Sequence, residues 1–403
     1  MLSVAEARSR ILSAFERLGT EQVGLENALG RVLAEPVTAR LTQPAKAVSA
    51  MDGYAVRSAD IGAETVSLRV VMEIPAGHAP KQTLGLGEAA RIFTGAMLPD
   101  GSDSIVIQEN AARNGDHVAL TDPRFRNGQH VRKSGLDFTL GDIGLSSGQC
   151  LTARDIGLAA AMNWPWLTVT RRPRIAILST GDELVNPGEA LSPGKIVASN
   201  GFMLSALAVA SGAQVINLGN APDQPERLSA MIDGARGCDL LVTTGGASVG
   251  DYDLVQRILQ EKGIRLDFWK IAMRPGKPVM FGQLGDLKVI GLPGNPTSSV
   301  VTGHIFVRPI IARMLGQNDD TIIDYAELGR DLPANDLRQD YLRASLTRDG
   351  GRLIATPFNL QDSSVISLLA KADVLVIRPP HAPAAAAGSQ VEFIRLNGGA
   401  VSL

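Results

Sequence analysis

Between residues 174 and 315, short apolar runs alternate with helical patterns, and this alternation limits the fold more than any other feature of the chain. Strand-like runs fall at 175–178, 214–218 and 239–243, and helical periodicity at 200–211, 225–236 and 252–263. Further strands are expected near 266–272, 278–282 and 287–291, then a long helix over 297–315. A β-α-β-α order of this kind calls for a parallel sheet with helices on both faces. Ligands of such sheets bind outside the carboxyl ends of the strands. Glu183, Asp223, Ser248 and Asp253 are all expected at that edge.

Within this region the stretch 239–253, DLLVTTGGASVGDYD, carries the strongest chemical signal. An apolar strand turns through Gly245-Gly246 and restarts as a helix near Asp251-Tyr252. Glycines let backbone N–H groups approach a phosphate closely, and Ser248 adds a hydroxyl. Acids beside a phosphate repel it unless a hard cation lies between them, so Asp251 and Asp253 suggest Mg²⁺. An ordinary strand-to-helix turn is the plainer alternative. Two other segments point to the same rim. Residues 270–278, KIAMRPGKP, hold Arg274 and Lys277 on a loop pinned by Pro275 and Pro278, either a preset oxyanion contact or a solvated basic loop. Residues 291–299, GLPGNPTSS, lead through Pro293, Asn295 and Pro296 into a helix at Thr297-Ser298, where hydroxyls serve an anion or simply cap the helix.

The flanking sequence has a different texture. An amphipathic helix is expected over 3–19, capped by Ser3 with Glu6 three residues on and with Val4, Ala7, Ile11, Leu12 and Phe15 on one face. A short helix is read at 25–29, and Asp52-Gly53 reads as a turn. SLRVVMEI, AARIFT, DSIVIQEN and HVALTD form a β-rich module over 42–128. A helix from Thr152 to Met162, with Thr152 as N-cap, joins 129–171 with 1–41 as one discontinuous domain. Residues 172–317 are the α/β domain. Residues 318–403 return to strands (DYLRASLTR, RLIATPF, DVLVIRPP, QVEFIRL) as a small barrel or sandwich, with Arg343 and Ser363 as polar candidates and 381–388 as a loop.

Composition excludes several classes of function. The 403 residues carry a net charge of −2, which gives no signal for nucleic acid or an acidic membrane. Two cysteines without paired spacing fit a reducing cytosol and argue against a disulfide framework or zinc cage. The five histidines, His78, His117, His130, His304 and His381, are scattered. The N-terminus reads as a helix rather than a signal peptide, and no apolar run reaches membrane-spanning length.

Taken together and in order, SAMDGYAV, RIFTGAMLPDG, STGDEL, TTGGASVGDYD, RPGKP and LPGNPTSS resemble the molybdopterin molybdenumtransferases, the MoeA proteins of bacteria and the E-domain of gephyrin. The resemblance covers essentially the whole chain. It implies four domains in an elongated, cytosolic homodimer that takes adenylylated molybdopterin and molybdate and, with Mg²⁺, releases AMP and the finished cofactor. Carried over by motif, Asp52, Thr94, Asp137, Glu183, Asp223 and Asp253 match the family's active cleft, with Glu183, Asp223 and Asp253 as metal ligands. Asp52 and Asp137 are inferred to reach the cleft across the dimer. Arg274, Lys277, Ser298, Arg343 and Ser363 match positions implied in molybdate binding. The family often has Lys where this chain has Arg274, which keeps the charge and changes the geometry. Gly245, Gly246, Ser248, Pro293, Asn295 and Pro296 are expected to contact substrate. A molybdopterin adenylyltransferase and recipient molybdoenzymes are the implied protein partners. Two other functions are open to such a chain: adenylyl transfer to molybdopterin, because TTGGASVG also resembles that enzyme's domain, and a gephyrin-like scaffold that binds a peptide.

Overall fold

The computed structural model describes residues 1–246, 254–317 and 323–396. The chain forms two compact units. The larger takes in Met1–Glu35, Ser147–Ile156 and Trp166–Leu403, and the smaller Pro36–Ser146 and Gly157–Pro165.

The larger unit opens with α1 (Val4–Ser13). Ser3 and Glu6 form the expected reciprocal capping box, and Val4, Ala7, Ile11 and Phe15 are buried. The helix stops at Ser13, well short of residue 19, and the short helix expected at 25–29 is a 3-10 turn over Leu25–Asn27.

The smaller unit is built on a mixed six-stranded sheet: β1 (Gly53–Val56), β2 (Val66–Ile74), β3 (Glu88–Ile92), β4 (Ser104–Ile107), β5 (Ala111–Asn114) and β6 (His117–Leu120), in the order β4-β1-β3-β2-β6-β5. Gly53 begins β1 rather than occupying a turn. A Cβ there would lie 2.1 Å from the Val106 carbonyl oxygen, so the glycine answers to the closeness of β4, not to a left-handed backbone. Helix α2 (Ala153–Ala161) follows Thr152, whose amide and hydroxyl both donate to Asp155 Oδ2 at 2.8 and 2.7 Å.

The α/β region of the larger unit comprises β7 (Arg174–Thr180), α3 (Asn200–Ala210), β8 (Gln214–Ala221), α4 (Pro225–Asp233), β9 (Leu240–Thr244) and α5 (Leu254–Glu261). After these come β10 (Arg265–Phe268), β11 (Met273–Arg274), β12 (Met280–Leu284) and β13 (Leu287–Leu292). The sheet runs β8-β7-β9-β13-β12-β10. Its first four strands are parallel, but β12 runs antiparallel to both its neighbours, β13 and β10, because a tight turn at Gly285 folds it straight onto β13. The sheet is therefore mixed, not parallel throughout. Alternation along β7 sorts the core. Ile175 and Ile177 face α1, α3 and the helical run after β13, while Ala176 and Leu178 face α4 and α5.

The expected long helix is interrupted. It is α6 (Pro296–Thr302), a π-helical turn over Gly303–Val307, and α7 (Arg308–Leu315). The strand expected over 266–272 ends at Phe268, and the short β11 pairs with the next sheet instead. That sheet contains β14 (Ile323–Leu328), β15 (Gln339–Asp349), β16 (Arg352–Pro357), β17 (Val374–Arg378) and β18 (Gln390–Arg395). Pairing runs β15-β16-β14-β18-β17 and back to β15, so it is a closed five-stranded barrel with β11 attached at β15. No helix among the described residues is long and apolar enough to cross a membrane.

Candidate active site

β8 and β9 lie on opposite sides of β7, so the strand order reverses there and opens a crevice at the carboxyl ends. The acids arrive from two of these strands. Asp182 and Glu183 follow β7, Asp223 follows β8, and the Asp223 amide donates to Asp182 Oδ1 at 2.9 Å. Asp223 binds its proton more tightly than a free aspartate, first because of partial burial and then because Asp182 and Glu183 are close. Among the described residues no group of three His, Cys, Asp or Glu side chains is arranged around a single metal position. Ser248 and Asp253, expected on the same edge, lie outside the described residues.

The glycine pair forms the floor. Gly245 and Gly246 both have positive φ, +88° and +62°. A Cβ on Gly245 would sit 2.4 Å from the Thr180 carbonyl oxygen, and one on Gly246 would sit 2.4 Å from Val255. Both would also come within 3.0 Å of Thr180 Oγ1, a buried hydroxyl with no hydrogen-bond partner among the described residues. The neighbouring loop touches this one, since a Cβ on Gly294 would lie 3.4 Å from the Gly245 Cα. Asn200, at the start of α3, holds the two loops together by donating to Thr244 Oγ1 at 3.0 Å and to the Gly294 carbonyl at 2.7 Å. Thr244 Oγ1 lies 3.1 Å from the Pro293 carbonyl and 3.0 Å from Ser299 Oγ. Asn200, Thr244 and Ser299 were not anticipated from the sequence. The cue available was their position at a strand end or helix start beside a glycine.

Ser363 is brought to the beginning of α6. Its hydroxyl accepts from Asn295 Nδ2 at 2.8 Å, and its carbonyl accepts from the Thr297 amide at 3.0 Å. One of the N–H groups at this helix end is thus already engaged, and Thr297, Ser298 and Ser299 are buried. Arg343 lies beneath this loop and is only 1% exposed. It donates to the carbonyls of Val365 and Asp362 at 2.8 and 2.9 Å, with longer contacts of 3.4 Å to Leu360 O and Thr297 Oγ1. Both terminal nitrogens therefore hold the 360–365 loop.

The RPGKP loop packs on α6, where a Cβ on Gly276 would meet the Thr302 methyl at 2.4 Å. Arg274 is caged. Its Nε contacts both Asp340 carboxylate oxygens at 2.9 and 3.0 Å, and its terminal nitrogens reach Asp340, Asp336 and Asn335. Lys277 is exposed, and no partner for its ammonium is found among the described residues.

Asp52, Thr94 and Asp137 belong to the smaller unit. The Thr94 amide and hydroxyl each donate to Asp52 Oδ1 at 2.8 Å, which holds this carboxyl below the usual aspartate range, with a smaller contribution from Arg91. Arg91 stacks over Phe93 and Tyr54 and donates to the Gly53 carbonyl at 3.0 Å and to Gln108 at 2.9 Å. Asp137 is exposed, and its amide donates to the Gln43 carbonyl.

A doubly wound sheet with an acidic rim and a glycine floor, followed by cationic and hydroxyl-bearing loops, is the architecture of an α/β protein with a crevice suited to phosphates and oxyanions. Comparison with known proteins narrows this class. Residues 2–163 match the MoeA N-terminal region (domain I and II), residues 176–313 a probable molybdopterin binding domain, and residues 325–396 the MoeA C-terminal region (domain IV). The molybdopterin molybdenumtransferase of Bacillus subtilis is 34% identical over 387 residues, 94% of this chain and 90% of that protein. The Nostoc protein of the same name is 38% identical over 78% of this chain and 75% of its own length. A crystal structure of the molybdopterin biosynthesis MoeA protein from Pyrococcus horikoshii superposes with a TM-score of 0.86 at 32% identity, covering 99% of this chain and all of that one. The chain belongs to the molybdopterin molybdenumtransferase family, a family of transferases.

Proposed function

We propose that the protein inserts molybdate into adenylylated molybdopterin, with Mg²⁺-dependent release of AMP, as the last step in assembling the molybdenum cofactor. The observation that carries this reading is the relationship to named molybdenumtransferases over nearly the whole chain. The rim supports it chemically. Gly245 and Gly246 hold left-handed backbone close against Thr180 and Val255 at the carboxyl edge of the sheet, where the Thr180 hydroxyl has no partner among the described residues.

The residues present fit Mg²⁺. This ion is commonly bound through one or two carboxylates together with substrate phosphates, not in a cage made wholly of protein. Asp223 and Glu183 supply two carboxylates close enough to repel one another, so a cation between them would relieve that repulsion. Asp253 is the third expected ligand. When bound, the ion would offset phosphate charge as AMP departs. The protein's own groups orient the substrate. Asn200 fixes the spacing of the Gly245 and Gly294 loops, and Asn295 and Ser363 form one wall. Lys277 offers a positive charge to an oxyanion, and Ser298 on α6 offers a hydroxyl. A cytosolic homodimer that exchanges substrate and product with a molybdopterin adenylyltransferase and with molybdoenzymes belongs to the same proposal.

The test is AMP release from adenylylated molybdopterin with Mg²⁺, with and without molybdate. Molybdate-dependent release, lost in Asp223→Ala and in Asp253→Ala, is the expected result. Adenylylation of free molybdopterin by ATP would replace this function with the adenylyltransferase one. A folded protein that does neither would fit a binding scaffold.

A further inference from the structure

Two cations lie on the RPGKP loop, and they are held very differently. Arg274 Nε faces both oxygens of Asp340, a residue only 5% exposed. Its terminal nitrogens reach Asp340, Asp336 and Asn335. Arg338 approaches Asp336 at 3.4 Å, so two arginines and two aspartates form a locally neutral set. The backbone reinforces the clamp. β11 pairs with β15 in the register Arg274 to Asp340, and the Gln339 amide donates to the Ala272 carbonyl at 3.0 Å. Beyond the clamp, the Ile271 amide donates to the Lys277 carbonyl at 3.0 Å, and Gly276 lies against Thr302 of α6. The main chain at Lys277 is therefore fixed from both sides, while its ammonium is free of partners among the described residues.

We propose that Arg274 is a positioning residue that fastens this loop to the barrel, and that Lys277 is the one cation of the loop that contacts the oxyanion. A guanidinium already matched by two carboxylates presents no net field to a dianion. Moving it to the anion would strand the buried Asp340 carboxylate. A planar fork suits bracing between several acids, and a compact ammonium on a flexible stem suits the anion. This inference rests on the reading of the site as a molybdate site.

Asp340→Asn separates the alternatives by sign. If Arg274 is itself an anion ligand held back by its cage, weakening the cage frees it and molybdate binds more tightly. If Arg274 positions the loop, weakening the cage loosens Lys277 and molybdate binds less tightly. The measurement is the molybdate KM in the AMP-release assay, alongside the KM for adenylylated molybdopterin. Lys277→Ala should raise the molybdate KM about 10-fold or more, the scale of one charge-assisted contact. Arg274→Ala and Asp340→Asn should each raise it by a smaller factor, the double variant should be no worse than the poorer single one, and the KM for adenylylated molybdopterin should stay near that of the wild type. Arg274→Gln, which keeps an amide donor for Asp340 but has no charge, should stay within about 3-fold of wild type and serves if Arg274→Ala does not fold. A lower molybdate KM in Asp340→Asn, an unaffected Lys277→Ala, or a 10-fold loss in Arg274→Gln would overturn the proposal. A wild-type protein whose AMP release ignores molybdate would instead remove the reading on which it rests.

Discussion

Single residues at the rim are fixed by contacts too close for substitution. Gly245→Ala would force a side chain into a left-handed backbone and against the Thr180 carbonyl, costing about 1–3 kcal/mol from the backbone conformation alone. The expected outcome is a lower thermal midpoint together with loss of AMP release. Gly294 has a nearest contact at 3.4 Å and no positive φ, so Gly294→Ala should fold almost normally, and the pair of variants tests whether crowding or generic glycine freedom matters. Asp223 gives a second prediction. Its proton is held by burial and by the charges of Asp182 and Glu183. Without Mg²⁺, the Asp223 carboxyl should therefore titrate above the ordinary aspartate range, read by NMR of the carboxyl carbon. Asp182→Asn keeps an oxygen for the Asp223 amide but removes a negative charge, so it should move that titration to lower pH; an unmoved titration would mean that the Asp182 charge does not act on Asp223.

At the level of elements, the helical run after β13 carries an acid-sensitive group. His304 sits in the π-helical turn, only 6% exposed, and Arg308 Nη1 lies 3.3 Å from its Nε2. Burial first, then the Arg308 charge, lowers its pKa from 6.5 to about 4. The unfolded chain thus takes up a proton that the folded chain refuses between these values. Stability from this source is complete above about pH 6.5 and declines as pH falls toward 4, by on the order of 3 kcal/mol. Denaturant midpoints measured across that window should show the slope, and His304→Gln should flatten it. Arg343 acts on a different element. With both its terminal nitrogens on carbonyls of the 360–365 loop, Arg343→Ala leaves buried acceptors unpaired and should cost about 2–3 kcal/mol. Because Ser363 rides on that loop, Arg343→Ala should also weaken the wall it forms with Asn295; unchanged stability with weaker molybdate binding would point instead to direct contact with the anion.

For the whole molecule, the proposed homodimer predicts a species of about twice 42.5 kDa by light scattering at micromolar concentration, and a mass of one chain at all concentrations would remove it. Much of the architecture was legible beforehand because it follows local periodicity. The alternation along β7 that divides Ile175 and Ile177 from Ala176 and Leu178 was readable as a buried run, as was the capping box at Ser3. The glycine pair after β9 was legible because few residues other than glycine suit its backbone. The sequence by itself determined the order of the elements and the strand ends that Asp182, Glu183 and Asp223 follow, since both depend on periodicity over a few residues, whereas the glycines that no side chain can replace answer to distant partners, Gly53 to Val106 and Gly245 to Thr180. Tertiary structure alone decided which charged groups remain available. Arg274 meets Asp340 across 66 residues, Asn295 meets Ser363 across 68, and Asn200 meets Gly294 across 94. Partners so far apart are chosen by packing, which is why two arginines that read as oxyanion contacts are found bracing loops while the neighbouring lysine has no partner for its ammonium among the described residues.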